Sequence, residues 1–116
     1  MNVRDRIIVA LDVGGLGEVE SLVEELAPYV GCFKIGLQLL ISVGAPKVVE
    51  FLHGLGGKVF LDGKFDDIPN TAGEAAQAAS SLGVAMFNVH ASAGIEAMMA
   101  AVAHKGNSQV LAVTIL

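Results

Sequence analysis

The sequence predicts a parallel α/β fold built from repeated strand–helix units, and three observations point to it. Short apolar runs alternate with longer segments whose apolar residues recur at helical spacing. The starts of the apolar runs recur about every 26 residues, a length typical of one βα unit. Apolar residues make up 53% of the 116-residue chain and charged residues only 16%, as suits strands covered on both faces.

Five runs read as strands: Ile7–Asp12, Cys32–Ile35, Lys58–Lys64, Val84–Val89 and Val110–Leu116. Four helical patterns lie between them. Glu18–Val30 carries Val19, Leu22, Val23 and Leu26 on one face. Leu37–Leu55 is apolar and predicted to break near Gly44-Ala45-Pro46. Thr71–Leu82 is rich in alanine, and Thr71-Ala72-Gly73-Glu74 reads as a capping box that starts it. Ile95–His104 places Ile95, Met98, Met99 and Val102 on one side. Gly14-Gly15, Gly31, Gly56-Gly57, Gly83 and Gly106-Asn107 punctuate the elements.

Both an open doubly wound sheet and an eight-stranded barrel accept this alternation. No Gly-x-Gly-x-x-Gly follows the first strand, which argues against a dinucleotide site. About four and a half βα units are present, and the last strand has no helix to cover it. Residues 1–116 are therefore expected to be the N-terminal part of one larger domain, with the C-terminal units absent.

Charge and composition exclude several classes. The net charge is −5 and the seven Lys and Arg are scattered, against nucleic-acid binding through phosphates. The single cysteine, Cys32, permits no internal disulfide and reads as a buried small residue in a cytoplasmic protein. The apolar run before Asp12 is too short for a signal peptide. The stretch Ala75–Ile95 lacks charge but contains Gln77, Asn88 and His90, against a membrane span.

Charged residues occupy the ends of strands whose bodies are apolar. Asp12 ends the first, Lys34 lies near the end of the second, and Asp62 and Lys64 end the third. Side chains at i and i+2 share a face, so Asp62 and Lys64 point the same way. Burying a lone charge costs several kcal/mol, so these groups need one another, water or a ligand. Parallel βα folds place their active sites at these strand ends. The bland reading is an ion-pair network closing the top of the sheet; an alternating acid–base–acid–base set favours a functional site. Asp67 lies three residues past Lys64 and could fold back or reach a neighbouring subunit. Pro69 disfavours helix at Ile68 and keeps the loop extended.

The run Asp62-Gly63-Lys64-Phe65-Asp66-Asp67-Ile68-Pro69-Asn70-Thr71 closely resembles the signature of the orotidine 5′-phosphate decarboxylase family. Ala10-Leu11-Asp12, Phe33-Lys34-Ile35-Gly36, Val89-His90-Ala91 and Ala112-Val113-Thr114 agree with it, from about Arg6 to Leu116. Gly63 and Asp66 depart from the residues frequent in the family, a bulkier side chain and His; both lie outside the Asp-x-Lys-x-x-Asp frame. The resemblance implies a TIM-type (β/α)8 barrel, here only its first half, acting as a homodimer without metal or organic cofactor. It implies decarboxylation of orotidine 5′-phosphate to UMP and CO2. By position, Lys64 is then the proton donor, Asp62 lies beside the departing carboxylate, and Asp62 and Asp67 on either side keep Lys64 protonated as catalytic residues. Asp12 and Lys34 bind the ribose region, and Asp67, Ile68 and Thr71 reach the partner's site. The carbanion-like centre left by CO2 is what an ammonium would stabilise and protonate.

The phosphate-gripping loops of such barrels follow strands seven and eight, so the fragment alone is expected to be nearly inactive and to self-associate through its sheet edges. Two rival readings remain: a metal-dependent sugar-phosphate decarboxylase on the same barrel, and a non-enzymatic half-barrel. Lys34 stands where the metal-dependent relatives carry an acid, which disfavours a cation there.

Overall fold

The computed structural model of the chain describes residues 2–116. Five strands form one sheet in the order β1-β2-β3-β4-β5, where β1 is Ile8–Ala10, β2 Cys32–Ile35, β3 Val59–Phe65, β4 Met86–His90 and β5 Gln109–Val113. The helices are α1 Leu16–Leu26, α2 Leu37–Ser42, α3 Ala45–Gly54, α4 Pro69–Ser81 and α5 Ile95–Ala103. Short 3₁₀ turns occupy Val3–Arg6, Ala27–Tyr29 and Ala91–Ala93. A doubly wound sheet reverses its strand order at a switch point, whereas here spatial order follows chain order throughout. Strands and helices alternate along this single order, as an α/β fold requires.

Contacts divide the chain into a first unit ending at Leu61 and a second, Asp62–Leu116. In the first, β1 pairs parallel with β2 (Ile8 with Cys32, Ala10 with Lys34). β2 pairs parallel with β3 (Phe33 with Val59, Ile35 with Leu61). Phe33, Ile35, Val19, Val23, Leu39, Val48, Val49 and Leu52 form its buried core. The apolar face of α1 is the one its spacing predicted, but the helix starts earlier, at Leu16, and tightens into the Ala27–Tyr29 turn once Pro28 interrupts it. The predicted break between α2 and α3 falls at Gly44, whose φ of 100° is open to glycine and costly for other residues. Gly31 has a different role: a Cβ there would lie 2.6 Å from the Asp5 Cα. Only glycine lets the N-terminal turn lie across the start of β2.

In the second unit, β4 and β5 pair parallel from Met86–Gln109 to His90–Val113. α4 packs against α5. Ala72, Gly73, Ala76 and Ala79 line the buried side of α4, and Ala97 and Ala101 that of α5. Small residues let the helices approach closely: a Cβ on Gly73 would meet the His104 ring at 2.7 Å. Buried Ser108 donates to the Val84 carbonyl at 2.6 Å and ties the start of β5 to the chain before β4.

Two local expectations fail. The capping box at Thr71–Glu74 does not form; α4 begins two residues earlier, with Pro69 in its first turn and Ile68 as an extended N-cap (φ −62°, ψ 156°) without a side-chain cap. Proline is preorganised for the first helical turn and enforces extension before it, so it outranks the threonine signal. The fifth strand ends at Val113 rather than Leu116, and the first at Ala10 rather than Asp12.

Candidate active site

β3 switches character along its length. Val59, Phe60, Leu61 and Asp62 are buried, and Gly63, Lys64 and Phe65 are half-buried. The change places a carboxylate at the edge of the core and an ammonium just beyond it. Lys64 Nζ lies 2.9 Å from both Oδ1 and Oδ2 of Asp62. The i, i+2 relation predicted from strand periodicity therefore holds as a two-pronged contact. The Asp62 side chain is only 9% exposed and that of Lys64 32%. The carboxylate is fixed inside the protein while the ammonium borders open space.

Asn88 joins this pair from β4. Its Nδ2 donates to Asp62 Oδ1 at 2.7 Å, and its Oδ1 accepts the Lys64 backbone N–H at 2.8 Å. Asn88 is 3% exposed. Buried amides cost free energy unless both ends are bonded, and here both are. Sequence reasoning gave Asn88 no role. The available signal was a polar side chain in an otherwise apolar strand, flanked by buried Phe87 and Val89. Lys64 has φ of 49°, the one positive value among the described non-glycine residues. That conformation is costly for a side chain with a Cβ and characteristic of functional sites.

Around the pair, the Phe65 ring packs 5.7 Å from that of Phe87. It also occupies the space that a side chain at position 63 would take, with Cε1 2.6 Å from the place of a Cβ. Gly63 is thus matched to this placement of Phe65.

The remaining predicted residues are placed as follows. Asp67 is exposed, and its carboxylate accepts the N–H of Ile68 at 2.7 Å. Among the described residues it forms no ion pair with Lys64, whose carboxylate partner within the chain is Asp62. Ile68, 65% exposed, and Thr71 project from the loop and first turn of α4. In the first unit, Asp12 is exposed two residues past β1, and Lys34 is half-buried in β2 beside Ala10 and Phe60. His53 and His104 are exposed at helix ends, and His90 is half-buried as the last residue of β4. Cys32 is buried and free; burial pushes its thiol up to about 11 against the pull of the Phe33 backbone and Lys58.

The profile of the orotidine 5′-phosphate decarboxylase / HUMPS family matches residues 5–116. The chain belongs to this family. It is 52% identical over 98 residues to an orotidine 5′-phosphate decarboxylase of Syntrophomonas wolfei, covering 84% of this chain and 41% of that protein. It is 50% identical over 103 residues to the Moorella thermoacetica enzyme of that name, covering 89% and 40%. A crystal structure of an uncharacterized conserved protein from Geobacillus kaustophilus superposes with a TM-score of 0.83 at 36% identity, covering 94% of this chain and 54% of that one. The chain spans under half the length of these two curated relatives. Among its described residues no helix is long and apolar enough to cross a membrane.

Proposed function

We propose that the chain carries the catalytic half of an orotidine 5′-phosphate decarboxylase, which converts orotidine 5′-phosphate to UMP and CO2 in pyrimidine nucleotide biosynthesis. The observation that carries the proposal is the Lys64 ammonium bound to both oxygens of buried Asp62, at the C-terminal end of a parallel strand and within the family's signature. The bond from the pyrimidine ring to the carboxylate breaks, CO2 leaves, and the electron pair stays on the ring carbon. An ammonium beside that carbon stabilises the pair and then donates its proton, forming the C–H bond of UMP. Lys64 becomes a neutral amine and recovers a proton from solvent, to which its partial exposure gives access. No organic cofactor or metal enters this sequence of bonds.

Asp62 holds the lysine in place before the reaction, and its charge beside the substrate carboxylate adds a smaller ground-state contribution. By the family resemblance, Asp12 and Lys34 take the ribose region. Asp67, Ile68 and Thr71, exposed at the start of α4, serve the site of a second copy in a homodimer. We further propose a cytoplasmic protein, of which residues 1–116 are the N-terminal part of one barrel domain. Because half of the relatives' length lies outside the match, the 116-residue polypeptide by itself turns over little substrate.

The direct test is a titration with UMP and a 6-substituted UMP, on the chain alone and with the C-terminal half of the Syntrophomonas wolfei relative supplied in trans. Binding in the assembly, lost in Lys64→Ala and Asp62→Ala, is expected; an assembly that is folded and blind to both nucleotides would sink the proposal. Loss of the assembly's activity on adding a chelator would select the rival metal-dependent sugar-phosphate reading instead.

A further inference from the structure

Lys64 and Asp62 are held by a third side chain that stands outside the signature. We infer that Asn88 is a positioning residue that aims the Lys64 ammonium, and this inference rests on the decarboxylase reading. Asn88 uses both ends of its amide on the two reacting-site residues. The Nδ2 donor fixes Asp62 Oδ1, the same oxygen that receives Lys64 Nζ. The Oδ1 acceptor takes the Lys64 backbone N–H. One side chain therefore sets both the plane of the carboxylate that anchors the ammonium and the backbone from which the ammonium projects.

The backbone bond has a specific consequence. At φ of 49°, Lys64 occupies a conformation that L residues avoid unless the surroundings impose it. Lys64 takes this conformation inside β3, one residue before the strand ends at Phe65. The amide of Asn88 is held in orientation by its burial in β4 and by bonds at both of its ends. Asn88 is 3% exposed and its side-chain bonds go to Lys64 and Asp62, so its effect on the reaction passes through them. Asparagine suits the role better than its neighbours in chemistry. Aspartate would set a second carboxylate at hydrogen-bond distance from Asp62, and leucine would leave the Lys64 N–H without an acceptor.

The test uses isotope-labelled chain, wild type, Asn88→Ala and Asn88→Asp. In the wild type the Lys64 backbone amide and the Asn88 side-chain amide should exchange slowly with solvent. Asn88→Ala should speed exchange at the Lys64 amide about tenfold or more, while amides of Phe33 and Leu61 keep their protection. Asn88→Asp, nearly isosteric, should show the same loss near neutral pH. Protection should return as the pH falls and the introduced carboxyl gains a proton to donate to Asp62. A purely space-filling role would show no such recovery. Rapid exchange of the Asn88 side-chain amide in the wild type would overturn the inference without any variant. So would an Asn88→Ala chain in which Lys64 is protected as before.

With the C-terminal half supplied, Asn88→Ala should lower kcat on the order of 10- to 100-fold and leave KM within about twofold. Equal kcat in wild type and Asn88→Ala contradicts the inference. A wild-type assembly with no turnover at all contradicts the decarboxylase reading instead, and the exchange data then decide whether Asn88 still clamps Lys64.

Discussion

Replacing Asp62 by alanine removes the anchor of the site and should destabilise the chain measurably. The carboxylate accepts Lys64 Nζ on both oxygens at 2.9 Å and Asn88 Nδ2 at 2.7 Å. Removing one member of a buried charged pair costs about 3–5 kcal/mol when the other charge is stranded. Lys64 is not fully stranded, since its side chain is 32% exposed and can turn toward water. That contribution is therefore discounted to about 1 kcal/mol. Asn88 has no such escape, being 3% exposed, and its orphaned N–H adds about 1–2 kcal/mol. The sum is about 2–3 kcal/mol, against a whole-domain stability of about 5–15 kcal/mol. Asp62→Asn keeps the shape and part of the bonding and should cost about 1 kcal/mol. Urea unfolding followed by far-ultraviolet circular dichroism reads both, with the midpoint falling in the order wild type, Asp62→Asn, Asp62→Ala. An Asp62→Ala midpoint equal to or above that of the wild type would refute the reasoning, because the carboxylate would then be an unsupported charge relieved by its removal.

Two further perturbations follow from the first unit. Gly31→Ala drives a Cβ into the Asp5 backbone at 2.6 Å, which no side-chain rotation relieves; it should cost about 1–3 kcal/mol in a urea melt, and an unchanged midpoint would show that the N-terminal turn does not lie there. The Cys32 thiol, raised from 9.0 to about 11 by burial, stays protonated in the folded chain over a range where the unfolded chain has lost its proton. Stability from this group is thus intact below pH 9 and declines between pH 9 and about 11, by about 1.4 kcal/mol per pH unit. Wild type should lose stability faster than Cys32→Ala across that window, and parallel curves would contradict the burial argument.

Much of this architecture is legible in the sequence because its signals are periodic. The recurrence of Cys32, Lys58 and Val84 about a βα unit apart locates the strand starts to within two residues. Alternation in β3 puts Asp62 and Lys64 on one face. What stayed hidden depends on pairing between distant segments. Nothing in the neighbourhood of Asn88 says that it meets residues 62 and 64, because that contact exists only once β3 and β4 form a sheet. The left-handed backbone at Lys64 is equally silent, since lysine carries no preference for it. The helix start was misplaced because two local signals competed: Thr71 with a glutamate three residues on, and Pro69. The proline won because its ring restricts the backbone itself. Spacing leaves open whether Asp67 folds back toward Lys64 or reaches another subunit; within the chain its carboxylate accepts the N–H of Ile68, just before the extended Ile68-Pro69 segment.

The central claim is that the Lys64 ammonium delivers the proton that replaces CO2. It is tested most directly by turnover of orotidine 5′-phosphate with the C-terminal half present, comparing wild type with Lys64→Ala. The account predicts a fall in kcat of about 10³-fold or more in a folded, nucleotide-binding variant. Turnover within a few-fold of the wild type would contradict it, since another group would then be protonating the carbon.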